Sequence, residues 1–341
     1  MRLLLASALV ALLAPSARAD DKASAPVPAE TRAAMAQKNM DPVAPVLIRV
    51  FKKEAQLEVW KKTRSGSFAF LKTFPICRWS GQLGPKRKQG DRQAPEGFYS
   101  VAKRQLNPNS AYYLSFDTGF PNAYDRAHGA TGSALMVHGT CSSAGCYAMT
   151  DSQVGEIYAL VRDALEAGQP AFQFQAFPFR MTAENLAKHR TDPHVDFWRQ
   201  LKEGSDRFEA TGEEPLVRVV AGRYGFGAGA PDKEAAAKRR LEDEGAKVSA
   251  LVADGSAAIR TTYADGGQNA IFAALAKRGA YLGDVSRPEA LAYAGREVTL
   301  IPARPKPKPV VAADPPAPKP VATTLMVGAT PILETRFVPR S

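Results

Sequence analysis

The 341-residue chain contains only three cysteines, Cys77, Cys141 and Cys146. So few cannot staple a small scaffold, and stability has to come from an ordinary hydrophobic core. A hydrophobic content of 45% is ample for one. No convincing metal-binding or nucleotide-binding motif is present, and no recognisable nucleic-acid module accompanies the net charge of +11. That charge is also spread out. Residues 1–225 carry 29 basic and 22 acidic side chains, the remainder 16 and 12, so neither part is a polyanion-binding tail. Long apolar runs are scarce as well. The one near the start, Leu3 to Leu13, falls short of the roughly 20 residues that a spanning helix needs, so no membrane span is expected.

What is present begins with that run. Arg2 precedes it and Ser16-Ala17-Arg18-Ala19 follows it, the layout of a secretory signal peptide over residues 1–19 cut after Ala19. No cysteine follows the apolar stretch, which leaves the lipoprotein version unsupported. The chain is therefore expected in the periplasm. In an oxidising compartment an odd cysteine count leaves at least one thiol unpaired. Pairing Cys77 with Cys141 frees Cys146, and pairing Cys141 with Cys146 frees Cys77; spacing leaves both open.

Residues 20–45, rich in Ala, Pro and charge, read as a mobile leader arm. From Val46 the pattern alternates as strands do, in "VLIRVF", "AQLEVWK", "FAFLKTFPIC", "GFYSVAKR" and "AFQFQAF". Thr150 and Gln153 form a capping-box pattern, and Val154, Ile157, Tyr158, Val161 and Leu165 fall on one helical face. Shorter helices are expected over 182–189 and 195–202, followed by the strand-like "PLVRVVAGRYG". The folded region, 46–225, thus reads as mainly β with a few helices. Residues 226–300 read as a partly helical or disordered extension and 301–341 as a proline-rich tail, with eight prolines in the twenty residues from Ile301 to Pro320.

Chemistry concentrates in "LMVHGTCSSAGCYAMTD", Leu135 to Asp151. As a zinc site, His138, Cys141 and Cys146 with His128 would be spaced more widely than paired metal ligands usually are. As a thiol site, His138 ends a strand and Cys146 sits in a tight turn before a helix. That layout brings an imidazole to a sulfur that attacks as thiolate. Gly139 and Gly145 allow close backbone approach, and amides exposed in such a turn can hold an oxyanion. Upstream, Lys86, Arg87, Lys88 and Arg92 crowd one loop. They form either a rim that attracts an anionic polymer or a solvated loop. Trp79, beside that loop, is a candidate for stacking on a sugar face, with a core position as the alternative.

His138-Gly139 followed by Ser143-Ala144-Gly145-Cys146 resembles the H-G…S-x-G-C signature of the L,D-transpeptidase catalytic domain family, and "QAPEGFYSV" (Gln93 to Val101) is similar to an upstream family segment. The likeness spans residues 46–224 and implies a β-rich catalytic domain without a cofactor. It implies Cys146 as nucleophile, His138 as general base, Gly139 as the backbone group orienting the imidazole, and Ser143 and Gly145 as shapers of the turn. His128, Tyr147 and Arg180 are further candidates for substrate contact. The implied substrate is a peptidoglycan stem peptide attacked at meso-diaminopimelate, with an amine as acceptor. Ala144 and Ala148 stand where the commonest family pattern has histidine and arginine, so donor handling is expected to differ. Other stretches, such as "PFRMTAENLAKH", resemble a branch in which water replaces the amine and wall-linked lipoprotein is released. A third possibility is a non-catalytic wall-binding or tethering protein.

Overall fold

The computed structural model describes residues 21–227, 229–283, 294–305, 324–327 and 330–333. The expected signal peptide and most of the proline-rich stretch, 306–320, lie outside them. The chain is β-rich with few helices, the class read from the sequence. Its strands in order are β1 (Val46–Phe51), β2 (Gln56–Lys62), β3 (Phe68–Pro75), β4 (Arg78–Trp79), β5 (Gly97–Ala102), β6 (Leu106–Asn107), β7 (Ser115–Asp117), β8 (Met136–His138), β9 (Tyr147–Ala148) and β10 (Ala171–Phe177). Each long run of alternation in the sequence became a long strand. Together they make a sheet of order β3-β2-β1-β10-β5, with β1 parallel to β10. Short strands form the second sheet, of order β4-β9-β8-β7-β6.

The helices preceding and flanking these sheets are α1 (Asp21–Ser24), α2 (Ala29–Gln37), α3 (Ala123–Ala127), α4 (Asp151–Glu166), α5 (Ala183–Lys188) and α6 (Val195–Thr211). Thr150 caps α4 by accepting from the Gln153 amide, and the apolar face predicted for it is buried. Helix α6 runs further than the expected end at Lys202, because Gly204 is a packing position rather than a stop. A side chain there would collide with the rings of Phe98 and Phe226, so the helix gains close approach to the sheet at the site of its weakest residue. Gly212, in the left-handed region at φ 65°, ends it.

The leader arm expected to be mobile is docked. Val27, Met35 and Met40 are buried, and Arg162 donates to the carbonyls of Ala23 and Ala25. A few well-placed apolar side chains outweighed the polar composition. The chain around and beyond residue 225 contains both strands and helices where described. Strands β11 (Leu216–Val220) and β12 (Arg223–Gly227) form a hairpin, followed by α7 (Pro231–Ala253), β13 (Ala258–Thr262), α8 (Ala270–Lys277) and β14 (Arg296–Ile301). Helix α7 packs on α5 and α6, where Lys202 bonds Asp206 at 3.0 Å and Glu244 at 2.8 Å. The described residues up to Arg304 belong to one compact unit. In the second unit Thr324–Val327 pairs with Thr330–Leu333 as a hairpin. Among the described residues no helix is long and apolar enough to cross a membrane.

One ion pair ties the two sheets' connecting loop to the core. Lys52, just past β1, meets Glu96, just before β5, at 2.9 Å, and both side chains are fully buried. Lys52 also donates to the carbonyls of Gln82 and Ala94, while Glu96 accepts from the Gly84 amide and the Trp198 indole. Burial pushes the Lys52 ammonium down, and the Glu96 carboxylate pushes it back up. Through these bonds the pair fixes loop 80–96 against β1 and α6. Removing one partner leaves an uncompensated buried charge. Glu96→Ala is expected to lower the unfolding free energy by about 3–5 kcal/mol, measured by chemical denaturation.

Candidate active site

Strand register builds the site. β8 pairs parallel with β9, Val137 against Tyr147 and His138 against Ala148, which puts Met136 beside Cys146. Neighbours across strands project from the same sheet face, as do residues two apart along one strand. Cys146, Met136 and His138 therefore share a face. The Met136 amide donates to Cys146 Sγ at 3.4 Å, and the thiol itself points to the Ala134 carbonyl at 3.8 Å. The thiol's hydrogen bonds in this state are thus to backbone, with the imidazole one register step away. Apo thiol sites commonly tighten only when substrate arrives.

Of the three cysteines, Cys77 and Cys141 form the disulfide and Cys146 is free. The bridge ties the end of β3's connection to the loop after His138. Thr140 and Cys141 both lie at positive φ, 67° and 48°, so that loop is held in a conformation that L residues seldom adopt. The bridge, the Thr140 amide bonded to Asp151 Oδ1 at 2.8 Å and the Cys141 amide bonded to the Met149 carbonyl hold it there.

His138 is 3% exposed, and its Nδ1 lies 2.6 Å from the Gly139 carbonyl. A carbonyl only accepts, so Nδ1 carries the proton and the neutral ring presents a lone pair at Nε2. Burial lowers the imidazole's pKa, keeping the ring uncharged at neutral pH, and the Gly139 bond opposes this. Gly139 itself has no room for a side chain. One would lie 2.5 Å from Asp151 Oδ1 and 2.9 Å from the Tyr112 carbonyl. The half-exposed Tyr112 ring covers the imidazole at 4.7 Å between centroids, a contact that nothing in the sequence pattern announced.

Ser143 organises the turn. Its hydroxyl accepts from the Cys146 amide at 3.2 Å and the Gly145 amide at 3.4 Å, and donates to the Cys146 carbonyl at 2.7 Å. The Gly145 amide, a candidate for holding an oxyanion, and the Cys146 amide beside it are therefore both engaged by Ser143 in this state. Gly145 adopts φ 128°, where an L residue is strained, and a Cβ there would lie 3.3 Å from Leu135 Cδ2, tighter than ordinary van der Waals contact.

The basic loop serves the site differently from the rim envisaged. Lys86 is 4% exposed and paired with Asp91. Arg92 grips Asp265 at 2.6 Å and donates to the Ser143 carbonyl at 3.3 Å. Only Arg87 and Lys88 face solvent. Asp265, in the extension, thus reaches the turn that holds Cys146 through Arg92; a residue so far from Ser143 in sequence gives no local signal. Burial pushes the Cys146 thiol up, Asp117 adds to this, and the Met136 amide and Lys86 oppose it.

The remaining candidates lie elsewhere. Tyr147 is wholly buried, its ring packed on Phe174 and its hydroxyl donating to the Pro95 carbonyl at 2.6 Å, so it offers a substrate no surface. Arg180 pairs with Glu58 at 2.8 Å and lines a groove of about 800 Å³ with Arg49 and Trp60, which contains neither Cys146 nor His138. His128 is exposed at the end of α3, bonded to the Tyr124 carbonyl and stacked on that ring. Trp79 is fully buried against Tyr263, which rules out sugar stacking here.

Comparison with known proteins places these residues in context. Residues 45–172 match the sequence profile of the L,D-transpeptidase catalytic domain, YkuD. YafK of Escherichia coli K12, which carries an L,D-transpeptidase name, is 50% identical over 181 residues, covering 53% of this chain and 73% of its own. The same values hold for YafK of Escherichia coli O157:H7. Among solved structures, the helical cell shape determining protein Pgp2 of Campylobacter jejuni is 15% identical over 68% of this chain and 80% of its own, with a TM-score of 0.32. Bd1075 of Bdellovibrio bacteriovorus is 15% identical over 64% and 75%, with a TM-score of 0.29. Scores this low carry no inference about this chain.

With thiol and imidazole both held neutral, reactivity should climb with pH beyond the range of an ordinary cysteine, about 8.5. Iodoacetamide labelling without reductant is expected to modify Cys146 alone, at a rate still rising above that value. Labelling of Cys77 or Cys141, or a plateau near neutrality, would contradict this arrangement.

Proposed function

We propose, from the premise that this chain belongs to the L,D-transpeptidase catalytic domain (YkuD) family, that it is a periplasmic cysteine acyltransferase acting on peptidoglycan stem peptides. The observation that carries the reading is the shared sheet face of a free, half-buried thiol and a neutral imidazole whose proton sits on Nδ1. Cys146 would lose its proton to His138 Nε2 and attack the carbonyl carbon of meso-diaminopimelate. The tetrahedral adduct collapses as His138 returns the proton to the departing D-alanine nitrogen, leaving a thioester on Cys146. An acceptor amine then attacks that thioester, gives its proton to His138 and restores the thiol. Every step uses one general base in its two protonation states, and no cofactor enters.

The disulfide supports an exported location, because such bridges persist in oxidising compartments and not in a reducing cytosol. Gly139 holds the tautomer and Ser143 with Gly145 holds the turn, the positioning roles that the family signature implies. The Ala144 and Ala148 departures remove two polar side chains from beside the nucleophile, and Ala148 is fully buried opposite His138. Acceptor choice is the step they leave least constrained.

Incubation of the purified protein with tetrapeptide muropeptides and an added D-amino acid is expected to release D-alanine and yield new amide products, by chromatography with mass detection. Cys146→Ala should abolish product, and His138→Ala should cut the rate by about 10²–10⁴. Release of D-alanine with only the hydrolysed tripeptide, or release of lipoprotein from the wall without exchange, would replace transfer by the amidase outcome. No change with Cys146→Ala would overturn the thiol reading.

A further inference from the structure

Next to the thiol lies an acid that the chemistry above does not use. β7 pairs with β8 so that Asp117 is opposite Met136, and Met136 is in turn beside Cys146. Asp117, Met136 and Cys146 therefore form one row across three strands, on one sheet face. Ser115 and His138 form the next row. Asp117 Oδ1 accepts from the Gly119 amide at 2.7 Å, and among the described residues no lysine or arginine pairs with its side chain. Lys86, the cation that acts on the Cys146 thiol, is committed to Asp91.

A half-buried carboxyl without a counter-ion is costly by itself, and burial raises its pKa. Beside a sulfur that has to become an anion it is doubly adverse, because like charge opposes ionisation; its carboxylate does push the Cys146 thiol up. The groups facing the thiol are Asp117 from β7, His138 from β8 and Lys86 from loop 80–96, and Asp117 alone works against the reaction without serving the fold through an ion pair.

We propose that Asp117 is a specificity-determining residue, which binds the ammonium group at the side-chain end of the donor's diamino acid. This rests on the acyl-donor reading above. The donor residue attacked by Cys146 ends in a second amino-acid centre, and its ammonium supplies the cation that Asp117 lacks. Binding neutralises the acid in the same event that delivers the carbonyl, so the thiol ionises more readily with the correct donor in place than in the empty site. A donor without that charge leaves the carboxylate opposing the nucleophile. Recognition and activation become one step, and stray electrophiles meet the protonated thiol.

Two readouts test this in the full-length protein. Iodoacetamide labelling of Cys146 against pH requires no wall chemistry: Asp117→Asn is expected to move the profile towards lower pH, while Asp117→Glu keeps it near wild type. Acylation is then compared for a tetrapeptide donor with a free diaminopimelate amine and the same donor N-acetylated at that amine. Wild type should prefer the charged donor by at least about tenfold in kcat/KM, the lower end for a charge-assisted hydrogen bond. Asp117→Asn should lose the preference and Asp117→Glu retain part of it. An unshifted labelling profile, or a preference that survives Asp117→Asn, overturns the proposal. If neither donor acylates wild type, the donor reading itself has failed. Free meso-diaminopimelate titrated against the labelling rate then decides the ammonium site: acceleration in wild type and none in Asp117→Asn supports it, and no effect in either overturns it.

Discussion

The site depends on a parallel pairing two residues long. β8 and β9 are too short to be stable alone, yet their register decides that the sulfur of Cys146 and the ring of His138 emerge on the same face. A slip of one residue would turn the thiol into the core and the buried Tyr147 outwards. The flanking structure can be read as a set of devices preventing that slip. Tyr147 is pinned below by the Pro95 carbonyl and Phe174, the Met149 amide returns to the His138 carbonyl at 2.7 Å, and the disulfide anchors the intervening loop to Cys77.

Around this pairing, charge is used internally more than it is displayed. Lys52 with Glu96, Lys86 with Asp91 and Arg92 with Asp265 each fix one point of loop 80–96, which passes over the turn that holds Cys146. The net positive charge of the chain is consequently a poor guide to its partners. Two of the four cations offered as a rim for a polymer, Lys86 and Arg92, are occupied in ion pairs, and the Arg92 bridge to Ser143 brings the extension into the site's support.

How much of this could be read in advance follows from the physics of each element. Alternation of apolar and polar residues is local, so β1, β2, β3, β5, β10 and the capped helix α4 were legible. His138 and Cys146 were singled out by resemblance to the family signature, since their spacing alone does not fix a chemistry; the β8–β9 register puts both on one sheet face, and their roles belong to the proposal above. The docked leader was not, since Val27, Met35 and Met40 are isolated in a polar stretch and only the tertiary surface shows where they go. Tyr147 looked like a pocket residue by proximity to Cys146, but in a strand adjacent residues face opposite ways. Asp265 and Tyr112 were invisible because their significance lies in contacts made far along the chain.

The account stands on one covalent bond, a thioester between Cys146 and the donor peptide. Brief incubation with a tetrapeptide muropeptide, acid quenching and peptide mapping by mass spectrometry would look for it directly. The account predicts an adduct of the donor minus D-alanine on the peptide bearing Cys146, released by hydroxylamine. Turnover with the adduct on another residue, or with no hydroxylamine-labile species formed, would contradict it.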